Sequence, residues 1–424
     1  MIPRFIKALL AVPIAVLLIG APAVAATDTP PPVSDPVVSG ITSNFVKIGV
    51  ATTATITSDG FGTVPTKYEY WVNNGKHKTV KADASGRATI YLTFTTNVNG
   101  LSVEGIDASG NTGYVTFNYY YADGATPAAT NDSNGDGVPD LLTVGDPTGL
   151  GSGIWLAKGN PAGYLTGRIR VPAVNVGADG LADNDPTYFD GAHVITGNFL
   201  SDNLQDVWIY FTSGPKAGAG VVLPGTGDGS VMRGFNGLNL GLDYLTDANG
   251  DEPIDLANAY NSSNLNNATP DLIGISGSAA DGYHLTTYPS WGWPGGYSPE
   301  LTANTTPTGG TDWQNWQLVS TSTPSGTAIF LWNSATGALY LWQGVTFTDN
   351  GDGTSSVSYT QYQIAKKWNA GATFSTIEAA DFTGDGVPDL WTVTAAGVAR
   401  AYVVSDLSTT SLAHISAKAP QNLS

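Results

Sequence analysis

Asp132-Ser133-Asn134-Gly135-Asp136-Gly137-Val138-Pro139-Asp140-Leu141 recurs near the far end of the chain as Asp381-Phe382-Thr383-Gly384-Asp385-Gly386-Val387-Pro388-Asp389-Leu390. A weaker copy runs from Asn198 to Val207 (NFLSDNLQDV). Two more strand starts, Pro270-Asp271-Leu272-Ile273 and Thr327-Ala328-Ile329-Phe330, fit the same frame. The anchors at 140, 206, 271, 328 and 389 lie 66, 65, 57 and 61 residues apart. Each is followed by an apolar run, a glycine-rich turn and a second run, as in Leu331-Trp332-Asn333 through Gly337 to Leu339-Tyr340-Leu341-Trp342. A period of about sixty residues suits one four-stranded blade, and radial stacking of such blades makes a β-propeller. A long irregular sandwich is the competing reading.

Composition agrees with an all-β chain. The 424 residues include 52 glycines and 25 prolines but only 12% charged residues. Helical bundles and coiled coils carry about twice that charge and far less glycine. There is no cysteine, which excludes a disulfide scaffold, a thiolate zinc site, a cysteine nucleophile and a lipoprotein anchor. Acids outnumber bases 35 to 17, for a formal charge of −18. That excess argues against nucleic acid and against anionic membranes, since both need clustered Lys and Arg.

Residues 1–26 have the three parts of an export signal: Arg4 and Lys7, an apolar run from Ala8 to about Gly20, and Ala23-Val24-Ala25. The run contains Pro13 and is shorter than the ~20 residues that span a bilayer. Cleavage is expected near Ala25 or Ala26, giving a secreted, extracellular product with no membrane insertion. Residues 27–38 (TDTPPPVSDPVV) form a proline-rich linker, expected to be extended or disordered.

Residues 39–121 offer short β-rich runs between turn signals. Tyr68 to Val72 alternates, Asn73-Asn74-Gly75 turns and Lys78 to Ala82 returns, a hairpin signal. Ala88 to Thr95 is a further strand, and Leu101 to Ile106 and Tyr114 to Tyr120 flank a polar loop. Several short strands in about eighty residues resemble an immunoglobulin-like sandwich, whose expected role is a spacer. Residues 122–424 hold the repeat.

The repeated loop has the spacing of a calcium loop. Acidic or amide side chains fall at positions one, three, five and nine, and glycine at six permits a left-handed backbone around an ion. The expected ligands are Asp132, Asn134, Asp136, the Val138 carbonyl and Asp140, then Asp381, Thr383, Asp385, the Val387 carbonyl and Asp389. A third set, Asp247, Asn249, Asp251 and Asp255, has the spacing but carries Glu252 in place of the glycine and falls between anchors. Whether it binds metal is open. The loop at Asn198 reads as an empty turn. Asp349-Asn350-Gly351-Asp352-Gly353 reads as a hairpin turn.

The D-x-[DN/T]-G-D-G-x-x-D-L loop at this spacing resembles the FG-GAP (VCBS-type) repeats of integrin-like propellers, over about residues 122–424. An export signal, an Ig-like module and such repeats together resemble secreted multidomain proteins of actinobacteria. The resemblance implies calcium in blade loops and a role in surface adhesion or carbohydrate engagement. Only two loops match fully, and five anchors are fewer than the seven blades typical of that family. Five blades are expected, with an incomplete ring as the alternative.

Nothing in the sequence marks a catalytic centre. His77, His193, His284 and His414 are isolated, and neither a G-x-S-x-G elbow nor a phosphate-cradling loop occurs. A glycosidase or lyase on a propeller would have Glu252, Glu300 and Glu378 as its available glutamates. The binding reading rests on Tyr288, Trp291, Trp293 and Tyr297 in the segment YPSWGWPGGY. Such rings stack on sugars or, equally, fill blade interfaces. The expectation is thus a monomeric, secreted, calcium-binding adhesion or binding protein for an extracellular polysaccharide or surface protein. A polysaccharide-degrading enzyme is the alternative.

Overall fold

A computed structural model describes residues 33–42, 46–73, 75–145, 149–166, 174–176, 186–231, 238–241, 244–293, 295–303 and 305–423. The export segment and residues 27–32 of the linker lie outside them. The described chain is all-β and contains no α-helix. No described helix is long and apolar enough to cross a membrane.

The first eight strands are β1 (Pro36–Ser39), β2 (Val46–Lys47), β3 (Ala51–Ser58), β4 (Lys67–Val72), β5 (Lys78–Lys81), β6 (Ala88–Thr93), β7 (Val98–Ile106) and β8 (Thr112–Asp123). They form a three-stranded sheet, β1-β3-β6, and a five-stranded sheet, β2-β8-β7-β4-β5. In β6 burial alternates, with Ala88, Ile90 and Leu92 inward. These residues share one core with Ala54 and Ile56 of β3 and Tyr68, Leu101, Val103 and Tyr120 of the facing sheet. The described end of the linker is extended but not free. Val33 bridges Thr63, and Pro36–Ser39 pairs with β3.

The remaining strands make five further sheets in chain order. The first holds β9 (Leu141–Val144), β10 (Ile154–Ala157) and β11 (Val174–Val176). The second holds β12 (Ala192–Gly197), β13 (Asp206–Phe211), β14 (Gly220–Leu223) and β15 (Leu238–Leu240). The third holds β16 (Asp255–Tyr260), β17 (Asp271–Ser278), β18 (Gly282–Tyr288) and β19 (Glu300–Ala303). The fourth holds β20 (Trp316–Thr323), β21 (Gly326–Asn333), β22 (Leu339–Asp349) and β23 (Ser355–Ala365). The last holds β24 (Thr376–Ala380), β25 (Asp389–Val393), β26 (Val398–Ser405) and β27 (His414–Ala417), with β28 (Gln421–Asn422) also on β26. All are antiparallel meanders. The first differs from the expected four strands in having three among the described residues.

Asp206, Asp271 and Asp389 open β13, β17 and β25, Asp140 immediately precedes β9, and Ala328 lies inside β21. Strands β9, β13 and β25 are buried at every position. Such continuous apolar runs are what a strand covered on both faces requires. The cover comes from neighbouring sheets. Leu142 and Ile154 pack with Val207 and Ile209, and Trp208 and Tyr210 with Leu256 and Leu272. Ile273 and Ile275 pack with Trp342 and Phe347, and Phe330 and Trp332 with Leu390 and Tyr402. Leu141 and Ala157 of the first sheet share a core with Trp391 and Val393 of the last. Trp313, Trp332, Trp342 and Trp391 are therefore core residues.

Candidate functional site

Four first strands, β12, β16, β20 and β24, line a cavity with about 740 Å³ of open space, mouth included. Polar groups ring it and tie the strands together. Thr196 Oγ1 donates to Asn131 Oδ1 at 2.6 Å, and Asn131 Nδ2 donates to the Ala379 carbonyl at 2.9 Å. Asn258 Nδ2 donates to the Thr196 carbonyl at 2.8 Å, and Ser320 Oγ donates to the Asn258 carbonyl. Tyr260 has φ +55° where the β16–β17 register shifts, a left-handed backbone that Asn258 holds by accepting the Tyr260 N–H at 2.7 Å.

Two carboxyl groups face this cavity. Asp255 accepts the Leu318 N–H at 2.7 Å and lies 3.7 Å from His193 Nδ1. Glu378 accepts the Leu142 N–H at 3.0 Å. Burial pushes the Glu378 carboxyl well above the usual range, and the Asp140 charge adds to the shift. The site therefore offers two carboxyl groups, an imidazole beside one of them, and several amide and hydroxyl groups. Sequence reasoning named Glu378 as an available glutamate but could not place it. It assigned Asp255 to a metal loop and gave His193 and Tyr260 no role.

In the two loops expected to bind calcium, the carboxylates accept backbone and side-chain donors. In the first, Asp132 accepts N–H groups from Gly135, Asp136 and Gly137 at 2.8–3.1 Å, and Asp136 accepts from Val138 at 3.0 Å. Asp140 accepts from the Asn134 side-chain amide at 2.7 Å and from the Gly159 N–H at 3.1 Å. The last loop repeats this, with Asp381 accepting from Gly384, Asp385 and Gly386, and Asp385 from Val387. Asp389 accepts from Thr383 Oγ1 at 3.1 Å and from the Val404 N–H at 2.9 Å. The donor chemistry of both loops suits calcium. Among the described residues no group of three or more His, Asp or Glu side chains is placed to hold a metal ion. Burial pushes Asp140 up to about 6 and Asp389 up to about 7.

The third loop departs further. Asp247 accepts N–H groups from Asn249 and Asp251 at 2.8 and 3.0 Å and sits 2.9 Å from His284 Nε2. Its left-handed residue is Gly250, and Asp255 turns away toward Leu318 in the next sheet.

The anchor aspartates share a second feature. Asp206, read as the end of an empty turn, accepts the Leu200 N–H at 2.8 Å and the Gly225 N–H at 2.9 Å. Asp271 accepts the Ser263 N–H at 2.8 Å and the Ser290 N–H at 2.9 Å. In all four sheets one carboxylate oxygen takes a donor six or eight residues upstream. The other takes one 19 or 15 residues downstream. Buried backbone N–H groups need partners, and this aspartate supplies them to two loops at once. A signal for it was present in the sequence as a small residue, Gly159, Gly225 or Ser290, at a constant 19-residue offset. A Cβ on Gly159 would lie 1.9 Å from the Pro139 carbonyl oxygen, and one on Gly225 2.0 Å from that of Gln205.

The downstream donor opens a small turn, closed by the bridges Gly159–Leu165, Gly225–Val231 and Ser290–Tyr297. In the third sheet this turn carries the aromatic segment. Trp291 N donates to the Gly296 carbonyl at 2.8 Å, and Gly296 N donates to the Trp293 carbonyl at 3.0 Å. Trp291 is 65% exposed and Trp293 53%. The Trp293 ring lies over Gly295 and Gly296, where a Cβ would overlap it. Asn267 of the adjoining loop donates to the Ser290 carbonyl. Tyr288 and Tyr297 do not join this surface. Tyr288 is fully buried, while Tyr297 packs its ring 5.8 Å from Trp208 and donates to the Pro270 carbonyl.

No family model matches the chain, and no curated protein matches it, so the FG-GAP resemblance stands on the two loops alone. Among solved structures, a Bacillus licheniformis rhamnogalacturonan lyase aligns at 11% identity and a TM-score of 0.27, over 87% of this chain and 59% of the lyase. A calcium-stabilised adhesin with which an Antarctic bacterium binds ice aligns at 13% identity and a TM-score of 0.18, over 93% of this chain and 99% of the adhesin.

Proposed function

We propose that the chain is a secreted, non-catalytic carbohydrate-binding protein, an Ig-like sandwich followed by a five-bladed β-propeller, with Trp291 and Trp293 as its binding platform. One observation carries the reading. The same aspartate-anchored turn is made in the first two sheets from Asn160–Tyr164 and Thr226–Ser230, without tryptophan. The fold thus does not need indoles there, yet the third sheet presents two of them to solvent. An indole plane suits the apolar C–H face of a pyranose, and the polar loop beside it suits the hydroxyls. The propeller is supported by the cores that join consecutive sheets and the last to the first. The binding proposal draws on no calcium.

The double variant W291A/W293A should bind polysaccharide gels clearly more weakly than the parent while its melting temperature stays near that of the parent. Retention equal to that of the parent on every gel would refute the platform, and a large fall in melting temperature would mark both rings as core.

A polysaccharide-degrading enzyme is the second reading, favoured by Asp255 and Glu378 facing one cavity. Burial raises the Glu378 carboxyl, the direction that a general acid needs. Sugar release by the parent that E378Q abolishes would establish it.

A further inference from the structure

We propose that the outer face of the five-stranded sheet is a second carbohydrate-binding surface, one that takes a neutral polysaccharide chain. The face is independent of Trp291 and Trp293 and gives the N-terminal unit a role beyond that of a spacer.

Side chains two apart on a strand share a face. On β8 this sets Val115, Phe117, Tyr119 and Tyr121 together, with Phe117, Tyr119 and Tyr121 50%, 65% and 38% exposed. Tyr120 and Ala122 of the same strand are in the core. The register extends the outer row across the sheet, Phe117 opposite Ser102 and Ser102 opposite Trp71. A strand that is aromatic on its solvent face as well as its core face is unusual for a sheet with one wet side.

The rings are fixed in advance. Phe117 and Tyr119 meet edge to face with centroids 4.6 Å apart. Phe117 lies across Gly100, where a Cβ would come within 2.6 Å of the ring. Trp71 stacks on His77 at 4.1 Å and 3° between planes, and His77 Nδ1 is 3.0 Å from Glu69 Oε1. Rings held this way lose little freedom when a ligand arrives.

The charges on the face select the occupant. Glu69 and Glu104 stand opposite each other in the row beside Phe117 and Trp71. Lys67 and Lys81 stand opposite each other one row further along the same face, so its charges balance and neither an anionic nor a cationic polymer is favoured. An apolar protein or lipid surface would bury charges of both signs. A neutral pyranose offers an apolar face to the rings and hydroxyl donors to the carboxylates.

The test is electrophoresis of the mature chain through gels containing hydroxyethylcellulose, galactomannan or arabinoxylan. It compares the parent, W291A/W293A, F117S/Y119S and the four-residue combination. W291A/W293A should keep part of its retardation on at least one gel, and adding F117S/Y119S should raise the dissociation constant tenfold or more. G100A keeps every ring but displaces Phe117, and it should weaken the same retardation even if the serine variants fold poorly. Retardation of F117S/Y119S equal to that of the parent on every gel would overturn the proposal. So would a dimer, found by light scattering, that F117S/Y119S converts to monomer. Complete loss in W291A/W293A alone would overturn this surface and leave the indole platform standing. No retardation of the parent on any gel would overturn both.

Discussion

The third and fourth of the repeated sheets solve the same problem in different ways. Between β16 and β17 the chain takes a ten-residue loop, Asn261 to Pro270, in which the Ser263 N–H donates to Asp271. Between β20 and β21 it takes only Pro324-Ser325, with Thr323 paired directly to Gly326. The long loop comes with Asp271, which is buried and accepts donors from both the loop and the next turn. The short hairpin comes with Thr327-Ala328 at the corresponding strand start and no aspartate. The first, second and last sheets have long loops and the aspartate. What repeats along the chain is therefore a solution to unpaired backbone donors, present wherever the loop is long and absent where a tight turn removes the need.

The largest effect that would sharpen this contrast is D271A. It leaves the Ser263 and Ser290 N–H groups buried without a partner, at a cost of about 3 kcal/mol. Because Ser290 opens the tryptophan turn, polysaccharide binding should fall with it. Chemical denaturation and gel retardation on the same preparation measure both. A stability loss below about 1 kcal/mol would break the contrast.

A smaller effect lies where the two kinds of sheet meet. Glu300 of β19 is buried, its neighbour Leu301 donates to the Gly353 carbonyl of the fourth sheet, and its Oε2 has no hydrogen-bond partner. Burial, and then the charges of Asp349 and Asp271, push its pKa up to about 7 from 4.5. The folded chain thus holds a proton that the unfolded chain releases in that interval. This contribution to stability is full below about pH 4.5 and is lost as pH rises through 7. The melting temperature should fall between pH 5 and 8, and E300Q should flatten part of that slope. A slope unchanged in E300Q would remove Glu300 from the account. Asp206 and Glu378 are shifted in the same direction by burial and keep the remainder of the slope.

Much of this was legible in the sequence. The sixty-residue period, the strand starts at Asp206, Asp271 and Asp389, and the buried Trp332, Trp342 and Trp391 all follow from apolar periodicity and turn residues. The use of the aspartates was not legible. Acids at alternate positions around a glycine describe a calcium loop and an aspartate-capped turn equally well. The difference lies in backbone N–H groups, which a sequence does not display. Asp255 illustrates the same limit, since its spacing fits the loop at 247 while its partner, Leu318 N–H, is 63 residues away in another sheet. The aromatic face of β8 was hidden by register, which shows which side of the strand each ring takes only once its partner strand is known.

The most direct measurement compares the unfolding free energies of D206A and D389A, each in excess calcium and in excess chelator. The Asn198–Asp206 loop lacks a calcium ligand set, whereas the Asp381–Asp389 loop has the full spacing. If both aspartates act as acceptors for buried backbone donors, the two variants lose similar stability, about 3 kcal/mol, in either condition, and chelation leaves the parent's melting temperature unchanged. A D389A loss that appears only in calcium, beside a nearly neutral D206A, would contradict the account and return the repeated loop to a metal.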